Sequence, residues 1–198
     1  MNPTSSKFDW KLVRQIAVAV IWVSAVSVLG QMLTDLGPWY QNLKQPEWKP
    51  PDWAFGVIWT SIFVLIVISG VTAWRRATHP SQHALIITLF GINSILHVLW
   101  STLFFAAKRP DWALIELVFL WASIVAIIAA FWKISRFASL ILLPYLAWVT
   151  TAGFLNYANI ELNGPFGAAQ VSAPTSTSAP NAGKGAAPGA APGTIPGY

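Results

Sequence analysis

Apolar residues occur in five long runs, separated by short polar or proline-containing breaks. The first run extends from Leu12 to about Leu33 and carries no charge between Ile16 and Leu29. Further runs occupy residues 53–74, 84–107, 112–133 and 138–163. About 20 predominantly apolar residues are needed to cross a bilayer as a helix, so each run predicts one transmembrane helix. The fold class expected is an all-α membrane protein, a five-helix bundle with a long structured first loop. Lys11 and Arg14 ahead of an apolar run also fit a signal peptide, but the run is long enough to span and no small-x-small site ends it.

The breaks differ in kind. Residues 34–52, TDLGPWYQNLKQPEWKPPD, are too long for a simple helix hairpin. Trp39, Tyr40, Leu43 and Trp48 seek burial there, while Pro46, Pro50 and Pro51 stiffen the backbone. A lid folded over one end of the bundle is expected. The other breaks are short: Arg75 and Arg76 with ATHPSQH, then Lys108 to Asp111, then Lys133 to Arg136. Pro144 falls inside the fifth run, where neighbouring helices can satisfy a freed carbonyl. Residues 1–11 form a polar head. Residues 164–198, rich in Ala, Pro, Gly, Ser and Thr, cannot build a core and predict a disordered tail. No repeat divides the five runs into two halves, which argues against an inverted-repeat transporter.

Composition supports lipid as the main solvent. Charged residues make up 10% and hydrophobic ones 55%, whereas soluble domains are about a quarter charged. The net charge is +5, but the cations sit in clusters between apolar runs. They therefore set orientation and touch anionic lipid, and no nucleic-acid partner is expected. The N-terminal end carries Lys7, Lys11, Arg14, Arg75, Arg76, Lys133 and Arg136, against Lys44, Lys49, Lys108 and Arg109 opposite. That balance leans toward a cytoplasmic N-terminus. With no cysteine, thiolate chemistry and Cys-ligated metals are excluded. No Ser-His-Asp set, paired-carboxylate site or phosphate loop is present.

The 12 tryptophans ask for more than interfacial belts. Trp10, Trp74, Trp112 and Trp132 lie at run ends and read as belt anchors; Trp59 and Trp148 lie deeper. Asn93 and His97 are four apart on one face, continued by Trp100 and Phe104. Trp59, Phe63 and Ile66 stack similarly, as do Tyr145, Trp148, Ala152, Leu155 and Asn159. Such faces either tie helix to helix through polar contacts or line an aromatic cavity. Glu116 and Ser123 share a face with Leu120, and a structural role is expected for Glu116. His79 and His83 have the spacing of two metal ligands but no acidic third, so no metal site is expected.

The stretch from Trp39 to Trp59, with Tyr40, Leu43, Pro46, Trp48, Pro50, Pro51, Trp53 and Phe55 at their spacings, resembles the TspO/translocator protein family, the tryptophan-rich sensory proteins or peripheral-type benzodiazepine receptors. Trp100 with Phe104 and Phe105, Trp112-Ala113-Leu114 with Glu116, and Pro144 to Trp148 with Leu155-Asn156 are similar too. The resemblance covers about residues 20–163. It implies a five-helix bundle in a bacterial cell membrane, often homodimeric, with a pocket capped by the first loop. It further implies binding of tetrapyrroles (protoporphyrin IX or heme) and other hydrophobic molecules such as isoquinoline carboxamides, with no obligatory cofactor. The ligand-lining residues implied by motif are Trp39, Pro46, Trp48, Trp53, Phe55, Trp59, His97, Trp100, Tyr145, Trp148, Ala152 and Leu155. Asn93 joins them from its place on the His97 face. Positions matching Trp59 and Trp148 are implicated in light- and oxygen-dependent porphyrin degradation in bacterial relatives. A regulatory membrane partner is the third reading. The family usually has Asn where His97 stands. The change alters ligand choice, adds an axial ligand for a metalloporphyrin, or makes the site pH-sensitive. No Lys or Arg follows Tyr145 or Tyr157 before the tail, so cholesterol recognition is not expected.

Overall fold

The computed structural model describes residues 9–167. The segments 1–8 and 168–198, which hold most of the expected polar head and disordered tail, lie outside the described residues. Five helical spans are long and apolar enough to cross a membrane, and no strand occurs among the described residues. They are α1 (Trp10–Leu33), α3 (Asp52–Arg76), α4 (Pro80–Ser101) with the π-helical turn Thr102–Ala106, α5 (Pro110–Trp132), and α6 (Arg136–Leu140) followed by α7 (Leu143–Asn163). A short helix, α2 (Pro38–Gln41), lies between α1 and α3.

Local chemistry sets the ends. Asp9 caps α1 by accepting from the Leu12 N–H at 3.1 Å, and it pairs with Arg75 at 3.1 Å. These contacts, the Leu12 N–H first, hold its carboxyl below the usual carboxylate range. The predicted third span begins at Ala84; the helix instead starts at Pro80, because His79 and Gln82 form a reciprocal capping box and proline suits the first turn. The predicted fifth span divides in two. Proline has no N–H and crowds the preceding turn, so Pro144 takes the first turn of α7 and the break falls at residues 141–142.

The helices close a ring in the order α1, α3, α6–α7, α5, α4 and back to α1. Short loops make α3–α4 and α4–α5 antiparallel neighbours, so two ends can be distinguished. One carries the cations around Arg14, Arg75 and Arg136; the other carries residues 34–51. The interior on the cation side packs Ala73, Ile86, Ile127, Phe131, Ala138 and Leu142. A second cluster joins Ile62, Leu117, Leu120, Ile124, Tyr145 and Val149. Outward positions such as Val64, Ile95 and Phe119 stay exposed, as lipid-facing surfaces require. Helix α1 is the exception in packing: its one buried residue is Gly30, next to Ser101 and His97 of α4.

Candidate functional site: an aromatic layer and a membrane-depth cavity

Trp59 is the centre of the aromatic layer. Its ring lies 4.6 Å from His97, 5.6 Å from Phe63, 6.3 Å from Tyr145 and 6.5 Å from Trp148, centroid to centroid. Phe55 meets Trp148 edge-on at 5.5 Å. Helices α3, α4 and α7 thus bring together Phe55, Trp59, His97, Tyr145 and Trp148, as their spacing along each helix predicts. Ala152 packs against the adjoining core, and Leu155 is buried. Edge-to-face contacts of this kind add about 0.5–1.5 kcal/mol per pair beyond area burial.

A second aromatic group lies toward the loop. The π-helical turn places Phe104 and Phe105 together in the interior, although consecutive residues on an ordinary helix point apart. Trp100 stacks on Phe104 at 5.3 Å. Trp39 meets Phe104 at 6.1 Å and Tyr40 meets Phe105 at 5.7 Å, so α2 is docked onto the end of α4. Burial pushes the Tyr40 phenol above its ordinary pKa. Asn163 of α7 fixes the next stretch, accepting from the Lys44 N–H at 2.7 Å and donating to the Lys44 carbonyl at 2.9 Å. Lys49 pairs with Asp52 and lies over the Phe55 ring. Pro46 is half-buried and Trp48 exposed. Trp53 is 73% exposed and stands outside the aromatic layer; two residues before Phe55, it points to the opposite side of α3.

The polar residues divide sharply into satisfied and unsatisfied. Tyr145 donates to the Asn93 amide oxygen at 3.2 Å, Asn93 donates to the Ser123 hydroxyl at 2.8 Å, and Ser123 donates to the Leu120 carbonyl at 2.7 Å. This chain ties α7, α4 and α5 together at mid-depth, which assigns Asn93 a helix-to-helix bond. The Asn156 amide, with its oxygen toward the Leu114 N–H and its nitrogen toward the Pro110 carbonyl, bridges α7 to the first turn of α5 at 3.1 Å on each side. By contrast, the indole N–H groups of Trp100 and Trp148 and both carboxyl oxygens of Glu116 are buried without a protein partner. Glu116, 4% exposed, is inside the bundle. Among run-end residues, Trp10, Trp112 and Trp132 are exposed, whereas Trp74 packs on His83 at 4.3 Å and His79 serves as a cap.

A cavity of about 440 Å³ lies on the other side of His97. Helix α1 contributes Arg14 to Val26, α3 contributes Phe63 to Trp74, and α4 contributes Ile86 to His97, with Tyr145 reaching in from α7. Three of the candidate ligand-lining residues, Asn93, His97 and Tyr145, line it. The remaining candidates lie between it and the loop or on the loop itself. Its other walls mix Val, Ile, Ala and Gly with the rings of Trp22, Phe63, Trp74 and Phe90 and the polar Arg14, Gln15 and Ser94. His97 therefore faces Trp59 and Phe63 with its ring while bordering open space.

A family model for the TspO/MBR family matches residues 17–161. The chain is 34% identical over 159 residues to the tryptophan-rich protein TspO of Chlorobaculum tepidum, covering 77% of this chain and 98% of that one. It is 34% identical over 127 residues to protein CrtK of Rhodobacter capsulatus, covering 64% and 79%. The translocator protein of Sus scrofa is 32% identical over 137 residues, covering 69% and 79%. Taken with the closed ring of five spans, this extent of match establishes that the chain is a multi-pass membrane protein of the TspO/MBR family.

Proposed function

We propose that the protein binds tetrapyrroles, protoporphyrin IX or heme, and related flat hydrophobic molecules at the aromatic layer beneath residues 34–51. The observation that carries this reading is the convergence of His97, Tyr145 and Trp148 on Trp59, with Phe55 against Trp148 and the Trp148 indole N–H left unpartnered. Flat conjugated rings are well matched by indole faces and edges. The unbonded N–H groups of Trp100 and Trp148 are donors for ligand acceptors, and the Glu116 oxygens are acceptors for pyrrole N–H groups. Lys44 and Lys49, on the segment above, supply positive charge for propionates. His97 adds a nitrogen that can bind a metalloporphyrin iron. The same reading has the protein act as a receptor or transporter in porphyrin or stress responses, as a homodimer in a bacterial cell membrane with its N-terminus cytoplasmic.

The test is a fluorescence titration of the purified full chain with protoporphyrin IX and heme side by side. Tryptophan quenching is expected with both. Trp148→Ala should weaken protoporphyrin IX about tenfold, the loss of about 1.4 kcal/mol of stacking and burial. Unchanged affinity in that variant overturns the site.

A second reading has one observation in its favour: Trp59 and Trp148 lie edge to face within one layer, so a ligand there touches both indoles. Light- and oxygen-dependent breakdown of the porphyrin through these tryptophans is then expected to give product under illumination. Trp59→Phe and Trp148→Phe should abolish it; conversion that survives in both removes this reading.

A further inference from the structure

The 440 Å³ cavity has a shape and a mouth that the aromatic layer does not explain. Its lining runs from Arg14 to Val26 on α1, Phe63 to Trp74 on α3 and Ile86 to His97 on α4. At 1.5 Å per residue these stretches give a length of about 17 Å. The passage is long and lined mainly by apolar side chains, which suits an extended hydrocarbon chain.

The two ends of the passage differ. At mid-depth it stops against the rings of Phe63, His97 and Tyr145, and the Tyr145 hydroxyl is already bonded to Asn93. At the cation end it meets Arg14 and Gln15. Arg14 has no carboxylate partner among the described residues, since Asp9, the acid at that end, is engaged by Arg75. The Gln15 amide oxygen is buried without a partner. Arg14 follows the polar head at the start of the first span, the depth at which lipid head groups lie. The side wall is not closed: Val18 of α1 and Ile87 of α4 line the cavity yet are 61% and 57% exposed, which gives a lateral slot toward the bilayer.

We propose that this passage binds a single-chain amphiphile with an anionic head group, taken from the surrounding leaflet. The chain lies between α1, α3 and α4 with its methyl end at the Phe63–Tyr145 floor. The head group pairs with Arg14, and Gln15 supplies a further polar contact. The site adjoins the tetrapyrrole layer, sharing the rings of Phe63, His97 and Tyr145 as its floor, while its Arg14 end lies away from that layer.

Radiolabelled palmitate and 1-hexadecanol, each added to the full chain in lipid nanodiscs, test the proposal. One palmitate per chain should bind saturably. Val67→Trp and Ala19→Trp, which fill the passage from opposite walls, should each abolish binding of both probes while protoporphyrin IX quenching is retained. Arg14→Gln should weaken palmitate about fivefold and leave hexadecanol unchanged. Unlabelled lysophosphatidylglycerol should compete, and two-chain phosphatidylglycerol should not. Palmitate binding that survives both tryptophan substitutions, or that falls equally for acid and alcohol in Arg14→Gln, overturns the assignment. So does loss of protoporphyrin IX together with palmitate in Val67→Trp, because the passage would then belong to the porphyrin site.

Discussion

The loop half and the cation half of this bundle are built on opposite plans. Toward the loop, α5 and α7 are in close contact: Leu117 packs on Gly153, Asn156 bridges to the first turn of α5, and aromatic rings occupy the space between α3, α4 and α7. Toward the cations, α1 stands off from α3 and α4 and leaves a channel. Its ties there include a Trp22 N–H donated to the Ser94 hydroxyl at 3.0 Å and the Asp9–Arg75 pair at the base. In lipid, apolar surface gains little by leaving its neighbours for another helix, so association rests on close packing and polar contacts. The difference shows that a membrane bundle can be solid and hollow at once, wherever small residues and hydrogen bonds are unevenly shared among its helices.

The largest effect expected from this contrast is steric. A Cβ on Gly153 would lie 3.2 Å from Leu117, tighter than most real contacts, so Gly153→Val should destabilise the protein by about 1–3 kcal/mol in thermal or denaturant unfolding. Ala19→Val, a similar enlargement into the hollow half, should cost less than about 0.5 kcal/mol. Equal losses would remove the contrast. Next is the polar tie: Asn93→Ala breaks its bonds to both Ser123 and Tyr145, and at about 0.6 kcal/mol per membrane hydrogen bond it should cost about 1 kcal/mol. Trp53→Ala, in contrast with Trp148→Ala, should change protoporphyrin IX affinity less than twofold, because Trp53 points outward. The smallest effect is at Asp9. Its carboxyl titrates below the ordinary 3.8 when folded, so the charge stabilises the start of α1 above that range, and the contribution fades as pH falls through the folded value. Corrected for the intrinsic exchange rate, amide protection at the start of α1 should therefore fall on acidification in the native chain and stay level in Asp9→Asn.

Much of this could be read from the chain. The five spans follow from apolar runs that only lipid accommodates, and Trp59, His97, Tyr145 and Trp148 from polar and aromatic residues recurring at three- and four-residue spacing. Trp53 stands on the outer side of α3, and its two-residue offset from Phe55 already set it on another face. Glu116 was legible by position as well, since Ala113 and Leu120 on the same stripe are both buried. The channel was not legible. It lies between α1, α3 and α4, half of its lining is plain aliphatic, and no residue type marks a gap between backbones. The break before Pro144 and the π-helical turn are also properties of the assembled chain; periodicity alone continues smoothly through both.

That wider turn at Thr102–Ala106 has a consequence for how the bundle tolerates change. It acts as a phase shift: the inward sequence of α4 below Trp100 and the pair Phe104–Phe105 above it keep separate angular settings. Removing one residue there would restore an even screw and swing Phe105 out toward lipid, leaving Tyr40 without its ring partner. A single-residue deletion at this point should thus detach α2 from the end of α4 while leaving every span long enough to cross.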